Sequence, residues 1–417
     1  MLLREQGPAY SRGSDRTVDA SPADWFLHVS ILAFCTFCVA LGYGVLLLLL
    51  PDLVKASLGS NDPAATARHL GMMTAIYAGA PVVFGPIWGK LCDRFGPKPI
   101  LTAGLIGFAI STLSPIIESG LWSLHAGRLV NGAFAAAIGP AALTLIANRT
   151  TGTKRARAFA WIAMATIAGY FAGPLLGRAQ HLLGAPMGSS AELVPLALTA
   201  LLAGVACIAV QTLSGGETVV THHVEGLLSQ SPRLTGQLLV MAAVVSGATA
   251  SFEVALVLHA RQSGLGPNEL AAMFAECSFF MFIGQAILFS PLIRLGSSRR
   301  LIGPALLAMG SGLLLMPVSA GFLPSVAATA VVSISGGIAL PVVSYWLSLS
   351  APHSAGLQQG VKTAVTSLGQ SLGSLLAGFL FAPWLVPDAP FYATALIVLF
   401  AGTWALSLPR RLATMAN

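Results

Sequence analysis

The chain has 417 residues, of which 55% are hydrophobic and only 9% are charged, and its mean hydropathy is +0.79. Ordinary soluble domains are about 25% charged, so this composition excludes a soluble globular protein and indicates an all-α polytopic membrane protein. The net charge of +7 does not indicate nucleic-acid binding, because no basic patch is interleaved with aromatic residues. We attribute this charge to basic loops that face the cytoplasm.

Breakers and charged residues divide the chain into twelve apolar segments. Their lengths are near the ~20 residues that a helix needs to cross a bilayer. The first segment is expected to end at Pro51, because proline interrupts a helix. We predict transmembrane helices over about residues 25–50, 70–88, 99–117, 121–147, 157–178, 193–213, 236–260, 268–292, 300–318, 322–350, 358–383 and 390–408.

The order of these segments predicts two six-helix halves. The halves cover residues 25–213 and 236–408, and a polar cytoplasmic linker, residues 214–235, joins them. Residues 1–24 and 409–417 are predicted to be cytoplasmic tails. The first tail is too polar for a cleavable signal peptide, which needs an early apolar region.

The distribution of basic residues predicts which side of the membrane each loop faces. With the N-terminus inside, the outer segments hold only Lys55, Arg68, Arg178 and Arg261, and most other lysines and arginines fall in inner segments. The positive-inside rule therefore predicts twelve crossings with both termini in the cytoplasm. The expected location is the inner (plasma) membrane.

The two predicted halves share a faint repeat at one offset along the chain. Residues 93–96 (DRFG) align with residues 293–296 (IRLG), and residues 169–177 (GYFAGPLLG) align with residues 369–377 (GQSLGSLLA). Chance is the alternative, because glycine is common in membrane helices. Two matches at one offset favour a duplication, and parallel six-helix repeats are one transporter architecture.

Three segments resemble family motifs. Residues 89–98 (GKLCDRFGPK) resemble motif A of the major facilitator superfamily, G-x-L-a-D-r-x-G-r-k, in the loop between the second and third helices. Residues 124–132 (LHAGRLVNG) resemble motif B, L-x-x-x-R-x-x-q-G, and residues 169–177 resemble motif C, G-x-x-x-G-P-x-x-G. Motif C is associated with proton-driven drug antiporters. The resemblance covers nearly the whole chain and implies the major facilitator fold and this antiporter branch.

The motif A loop gathers charges at the helix ends. Gly89 and Gly96 allow close approach and a tight turn. For Lys98 the expected role is a topological anchor. For Asp93 and Arg94 the resemblance implies a gate latch between helices and between halves, with the topological anchor as the alternative. The second copy lacks the acid, so such a latch is expected on one side only.

Motif C consists of Gly169, Gly173, Pro174 and Gly177. The three glycines share one helix face and allow a neighbouring helix to approach closely. The proline removes a backbone donor and can bend the helix. We expect this helix to help seal one end of the pathway, and the alternative is generic glycine packing.

Three ionisable residues lie within predicted membrane helices, where such residues are costly and often functional. For Arg128 the resemblance to motif B implies a role in proton transfer, and the alternative is a hydrogen-bonding hub for the carbonyls of the first helix. Glu253 and Glu276 are candidate sites for a proton or a substrate. Their alternative role is that of hydrogen-bonded residues near the outer mouth.

Other polar and aromatic residues are weaker candidates for a cavity wall, because each is more often a packing residue. These candidates are Tyr43, Asn131, Tyr170, Gln285, Tyr345 and Trp346. The pair Cys35 and Cys38 forms C-x-x-C in mid-membrane, where small buried packing residues are expected. We therefore predict no metal site and no cofactor, and the chain contains no G-x-x-x-x-G-K-[ST] sequence for ATP.

These observations favour a secondary active transporter over an enzyme. The hypothesis is proton-coupled efflux of a small organic molecule, such as a drug-like amphiphile, a siderophore or metallophore, or another metabolite, by alternating access in a monomer. One alternative is an importer or lipid transporter with the same fold. Another is a non-transporting membrane sensor or a membrane enzyme, although no cluster of nucleophile, base or metal ligands supports an enzyme.

Overall fold

The computed structural model describes most of the membrane region of the chain. The described residues are 22–59, 62–117, 120–147, 149–150, 152–182, 194–213, 232–288, 295–319, 321–349, 355–381, 386 and 388–408. The two tails, most of the linker, and residues 293 and 294 of the repeat lie outside them. The side chain of Asp93 also lies outside what the structure describes.

The described residues form twelve long helices and one short one, so the predicted all-α polytopic fold is confirmed. The helices are α1 (Pro22–Leu58), α2 (Pro63–Phe95), α3 (Pro97–Thr112), α4 (Ser114–Ile117), α5 (Leu121–Ala147), α6 (Gly152–Leu182), α7 (Val194–Gln211), α8 (Pro232–Gln262), α9 (Pro267–Leu288), α10 (Ile302–Leu315), α11 (Phe322–Leu349), α12 (Ala355–Leu380) and α13 (Ala389–Ala405). A 3₁₀ helix, Leu295–Leu301, precedes α10. Within the described part of the chain, nine helices are long and apolar enough to cross a membrane, and α13 is a shorter apolar helix.

Several helices extend beyond the apolar segments that predicted them. The expected end of the first helix at Pro51 was wrong, because α1 continues through that proline to Leu58. At the start of α2, Asp62 caps the helix by accepting a 2.9 Å hydrogen bond from the Ala64 amide, and Pro63 follows. Hydropathy marks only the lipid-exposed length, whereas caps mark where a helix begins.

The third predicted helix is broken in two. The helix α3 ends at Thr112, and the short α4 begins at Ser114. Pro115 has no N–H to donate to the carbonyl of Ser111, which is the bond that would continue the helix. The hydroxyls of Ser111 and Thr112 instead bond back to carbonyls in the preceding turn.

The helices pack as two sets with the same pairing. In the first helix set (α1–α7), contacts join α1 to α6 and α7, α5 to α2 and α3, and α3 to α7. In the second helix set (α8–α13), contacts join α8 to α12 and α13, α11 to α9 and α10, and α10 to α13. The helices therefore correspond in order, with α4 as an insertion, as expected for a repeat.

The two sets meet through α2 against α12 and through α6 against α9. Near the bundle end where α1 ends and α2 begins, here called the α1–α2 end, Gly71 and Gly378 bring the backbones of α2 and α12 together. A Cβ on Gly71 would lie 2.7 Å from the Gly378 Cα, so no side chain fits there. At the same end, Arg261 donates two hydrogen bonds of 2.9 and 2.8 Å to the carboxylate of Asp52.

Candidate functional site

A central cavity of about 160 Å³ lies between the two helix sets. Both sets contribute residues to the wall of this central cavity. The lining residues are Val39, Tyr43, Tyr77, Ala78, Pro81, Gly132, Ala135, Ala136, Tyr170, Thr249, Ala250, Glu253 and Gln370. Among these described residues, Glu253 is the one acidic or basic side chain.

A hydrogen bond across the cavity joins the two sets. The phenol of Tyr43 on α1 donates to Oε2 of Glu253 on α8 at a distance of 2.7 Å. Tyr43 is buried, with 9% of its surface exposed, and Glu253 is half-buried. Since an ionised carboxylate buried without a partner is costly, this donor stabilises the negative form of Glu253, and a bound proton or a cation is the other way to do so.

Three tyrosines cluster beside this bond. The ring of Tyr43 lies 5.4 Å from that of Tyr77 and 5.5 Å from that of Tyr170, measured between centroids. The second pair is edge-to-face, at an interplanar angle of 89°, a preferred aromatic geometry. The rings come from α1, α2 and α6, so they form an aromatic wall supplied by the first set.

The guanidinium of Arg128 lies behind this wall. Its Cζ is 4.3 Å from the centroid of the Tyr77 ring, a cation–π contact, and the residue is 3% exposed. Within the described part of the chain, its three nitrogens have no hydrogen-bond acceptor. The alternative role as a hub for the carbonyls of the first helix is therefore not what the structure shows. Arg128 does not line the central cavity and reaches it through Tyr77.

The structure separates Glu276 from Glu253. Glu276 lies on α9 and is not among the residues that line the central cavity. Its two carboxylate oxygens are buried and have no hydrogen-bond partner among the described residues. Both acids are candidates from the sequence, but of the two only Glu253 lines the central cavity together with other predicted site residues.

Two polar candidates for the cavity wall lie elsewhere. Asn131 is buried, and its amide donates 3.0 Å bonds to the hydroxyls of Ser111 and Thr112. It therefore links α5 to the last turn of α3. Gln285 lies half-buried on α9 and does not line the central cavity.

The aromatic pair Tyr345 and Trp346 lies near the end of α11, away from the central cavity. The indole of Trp346 donates a 3.1 Å bond to the hydroxyl of Ser298 in the 3₁₀ helix. Arg299 lies over the same indole, with its Cζ 5.7 Å from the ring centroid. Trp346 thus holds the 3₁₀ helix against α11, which is a structural role.

The motif A loop turns sharply between α2 and α3. Gly96 has a φ of +83° and its amide bonds to the carbonyl of Cys92, so the tight turn requires glycine. The ammonium of Lys98 donates to the carbonyls of Gln211 and Leu213, at 3.0 and 2.6 Å, and so caps α7.

The other described members of motif A make looser contacts. A Cβ on Gly89 would meet nothing within 4 Å, so the expected close approach at that position is absent from the described structure. Arg94 is exposed, and its Cζ lies 5.2 Å from the centroid of the neighbouring Phe95 ring. The latch implied for Asp93 falls on a side chain outside the described ones.

Motif C packs α6 against α1. A Cβ on Gly169 would lie 2.5 Å from the carbonyl oxygen of Phe37, and one on Gly173 would lie 2.7 Å from that of Leu41. Pro174 lies beside Gly44, and Gly177 faces Leu48 more loosely. The repeat positions Gly369 and Gly373 approach the backbone of α8 at Ala243 and Gly247 in the same way.

Three polar residues of the cavity wall were not identified from the sequence, namely Tyr77, Thr249 and Gln370. Of these three, Tyr77 is the residue that the sequence could have indicated, because a tyrosine in an apolar helix prefers a polar partner. Thr249 and Gln370 carry none, since one sequence does not show which helix faces converge. In the described part of the chain, no three histidine, cysteine or acidic side chains are grouped to hold a metal ion.

Comparison with known proteins gives one family match and several relatives. The model of the Major Facilitator Superfamily matches residues 32–285. The class B tetracycline resistance protein of Escherichia coli is 37% identical over 142 residues, which is 34% of each chain. The class G tetracycline resistance protein of Vibrio anguillarum is 30% identical over 81% of this chain and 86% of its own length.

A solved structure has the same fold. The human organic anion transporter MFSD10 superposes with a TM-score of 0.70 at 17% sequence identity. The match covers 91% of this chain and 99% of that chain. At this level of identity the likeness concerns the fold alone.

Proposed function

The chain belongs to the major facilitator superfamily and is a multi-pass membrane transporter, and on this premise we propose that it exports a small organic molecule in exchange for protons. Transport proceeds by alternating access, in which two six-helix halves rock about a site between them. The first helix set forms one half and the second helix set forms the other. Two relatives named for tetracycline resistance support the outward direction.

The observation that carries the proposal is the hydrogen bond from Tyr43 to Glu253. It lies in the wall of the central cavity and joins α1 of one half to α8 of the other. A carboxyl at this position responds to a proton or a substrate and is also part of the contact between the halves. Coupling requires that binding of a proton or a substrate at Glu253 also change the relative energy of the inward- and outward-facing states.

A substrate and a proton bind to Glu253 in turn, and the proton weakens the bond from Tyr43. The ionised carboxylate of Glu253 accepts a hydrogen bond from the phenol of Tyr43 and attracts a substrate. A proton that arrives at Glu253 removes the charge, weakens the bond from Tyr43 because charge-assisted bonds are the stronger ones, and releases the substrate. The halves then return with the proton, which leaves on the other side.

The proposed orientation places both termini in the cytoplasm of a bacterial cell, with the protein in the inner membrane. The α1–α2 end then faces outward. The contacts of Gly71 with Gly378 and of Arg261 with Asp52 join the two sets at that end, which supports a state closed to the outside.

Everted membrane vesicles test this proposal. Vesicles that contain the protein are energised to an acidic interior, and uptake is measured for a panel of compounds that includes tetracycline. We expect uptake that stops when the pH gradient is collapsed and that is lost in Glu253→Gln. Glu269→Gln is the matched control, because Glu269 caps its own helix turn through the Gly266 amide. Uptake that persists without the gradient contradicts proton coupling.

A further inference from the structure

A second cavity lies inside the first helix set, at the break between α3 and α4. Its walls come from α1, α3, α4 and α5, and its volume of about 10 Å³ is room for one sphere of the size of a water molecule. The polar residues of the wall are Ser111, Ser114, Arg128 and Asn131, and the others are apolar. This α3–α4 cavity shares no described residue with the wall of the central cavity.

Arg128 brings an unpaired charge to the α3–α4 cavity. The residue is 3% exposed, and none of its three side-chain nitrogens has a hydrogen-bond acceptor among the described residues. A guanidinium carries several N–H groups and stays charged in a protein. The cation–π contact with Tyr77 stabilises the charge but supplies no acceptor for those N–H groups. An acceptor in this cavity would lie beside the side chain that needs one.

Ser114 adds a second donor to the wall from another helix. A Cβ on Gly127 would overlap with the hydroxyl oxygen of Ser114, so the glycine lets this hydroxyl lie against α5 next to Arg128. The Ser114 hydroxyl makes no hydrogen bond with another described residue, whereas Asn131 and Ser111 are already bonded to each other. The wall thus offers free donors from α4 and α5, and free donors beside a cation are what an anion requires.

The surrounding side chains leave Arg128 without a direct counterion. Among the described residues of this wall Arg128 is the one charged side chain, and three leucines form much of the rest. The acid Glu253 lines the central cavity instead and accepts its bond from Tyr43. Its attraction for Arg128 acts through the tyrosine wall and disappears whenever Glu253 is protonated. An anion in the α3–α4 cavity would meet the guanidinium directly, in apolar surroundings that strengthen the attraction.

The size of the α3–α4 cavity selects an anion of a single atom. A water molecule fits, but it is neutral and leaves the buried charge uncompensated, which is costly. Anions with several heavy atoms, such as nitrate, acetate or gluconate, are too large for a volume of about 10 Å³. Chloride is one atom, slightly larger than water, and accepts hydrogen bonds from several directions.

We propose that the α3–α4 cavity is a chloride site, in which the guanidinium of Arg128 and the hydroxyl of Ser114 hold the ion. The ion neutralises the charge behind Tyr77 without entering the central cavity. It also joins α5 to α4 across the break in the third predicted helix. Because a ligand that binds only the folded chain stabilises it, chloride stabilises the first helix set.

Thermal unfolding of the purified full-length protein in nanodiscs tests the site. The protein is first dialysed into sodium gluconate, and chloride then replaces gluconate at constant ionic strength. We expect the melting temperature to rise with chloride until the site is saturated, and to show no such rise when nitrate replaces gluconate. A melting temperature that does not depend on chloride, or an equal rise with nitrate, overturns the proposal.

Broadening of the chloride NMR line by the same nanodiscs measures binding and locates the site. We expect Arg128→Met to weaken chloride binding at least about tenfold and Ser114→Ala to weaken it several-fold. Arg68→Met is the matched control, because Arg68 is an exposed arginine near the start of α2, and it should bind chloride as the natural chain does. Equal broadening by Arg128→Met and the natural chain, or equal loss in Arg68→Met, overturns the assignment of the ion to this cavity.

Discussion

The phenol of Tyr43 and the carboxylate of Glu253 meet at 2.7 Å, although 210 residues separate them in the chain. Tyr43 belongs to α1 and Glu253 belongs to α8, the first helices of the two matching sets. The contact therefore joins two helices that occupy equivalent positions in the repeat, and it lines the central cavity. Any change in the protonation of this carboxyl acts directly on the contact between the sets.

Substitution Tyr43→Phe removes the donor and keeps the ring. A hydrogen bond to a charged group contributes about 1.5–3 kcal/mol, so we expect transport to fall by at least about tenfold, with a fold that stays intact. The measurement is gradient-driven uptake into everted vesicles at matched expression. Tyr392→Phe is the control, because Tyr392 is an exposed tyrosine on α13. Equal loss in both variants would mean that the bond to Glu253 is irrelevant.

Substitution Arg128→Met is expected to separate stability from activity. The buried guanidinium has no hydrogen-bond acceptor among the described residues, and such a charge is costly to bury. We predict an unchanged or raised melting temperature in detergent together with lost transport, because Tyr77 loses the cation behind it. A fall of many degrees in Tm would identify Arg128 as a structural residue instead.

Substitution Gly173→Ala tests the close packing of α6 on α1. A Cβ at Gly173 would lie 2.7 Å from the Leu41 oxygen, and overpacking of this kind costs about 1–3 kcal/mol. We expect a lower melting temperature and reduced transport. Gly204→Ala on α7 is the control, because a Cβ there meets nothing within 4 Å, and alanine favours the helix. Equal melting temperatures for the two variants would contradict the packing account.

Substitution Asp52→Asn tests the ion pair at the α1–α2 end. The pair with Arg261 is partly exposed, so its loss is worth at most about 1 kcal/mol, or roughly a fivefold change in the ratio of two states. We expect a shift toward longer distances between spin labels at Ala56 and Ser263, measured by pulsed electron resonance in a cysteine-free background. The charge swap Asp52→Arg with Arg261→Asp should restore the original distances. If the swap behaves as the single variant does, the pair does not hold this end closed.

Much of the fold is visible in the sequence because lipid imposes a simple rule. Each crossing needs a long apolar helix, so the order of the long helices follows from breakers and charges, whereas the break between α3 and α4 does not. The exact ends do not follow, because α1 continues through Pro51 and α2 begins at the Asp62 cap before its apolar run. The repeat was visible in motif C because close backbone contact allows little besides glycine, and both copies make that contact.

The site was only partly predictable. Glu253 stood out because an acid within a membrane helix is rare, and Tyr43 and Tyr170 were among the aromatic candidates. The choice of aromatic residues as cavity candidates fails for Trp346. This residue lies near the end of α11 and bonds to Ser298 of the 3₁₀ helix instead of lining the cavity. Gln370 was missed, because convergence of helix faces depends on packing between helices far apart in sequence.

The most direct test of the account is the proton movement that accompanies transport. Proteoliposomes that contain a pH-sensitive dye inside receive an outward gradient of a compound that the everted vesicles take up, and the internal pH is recorded. The account predicts that the interior of vesicles with the natural chain or Glu269→Gln becomes more acidic as the compound leaves, and that vesicles with Glu253→Gln show no change. Acidification of equal rate and extent in Glu253→Gln would contradict the claim that Glu253 exchanges the proton for the substrate.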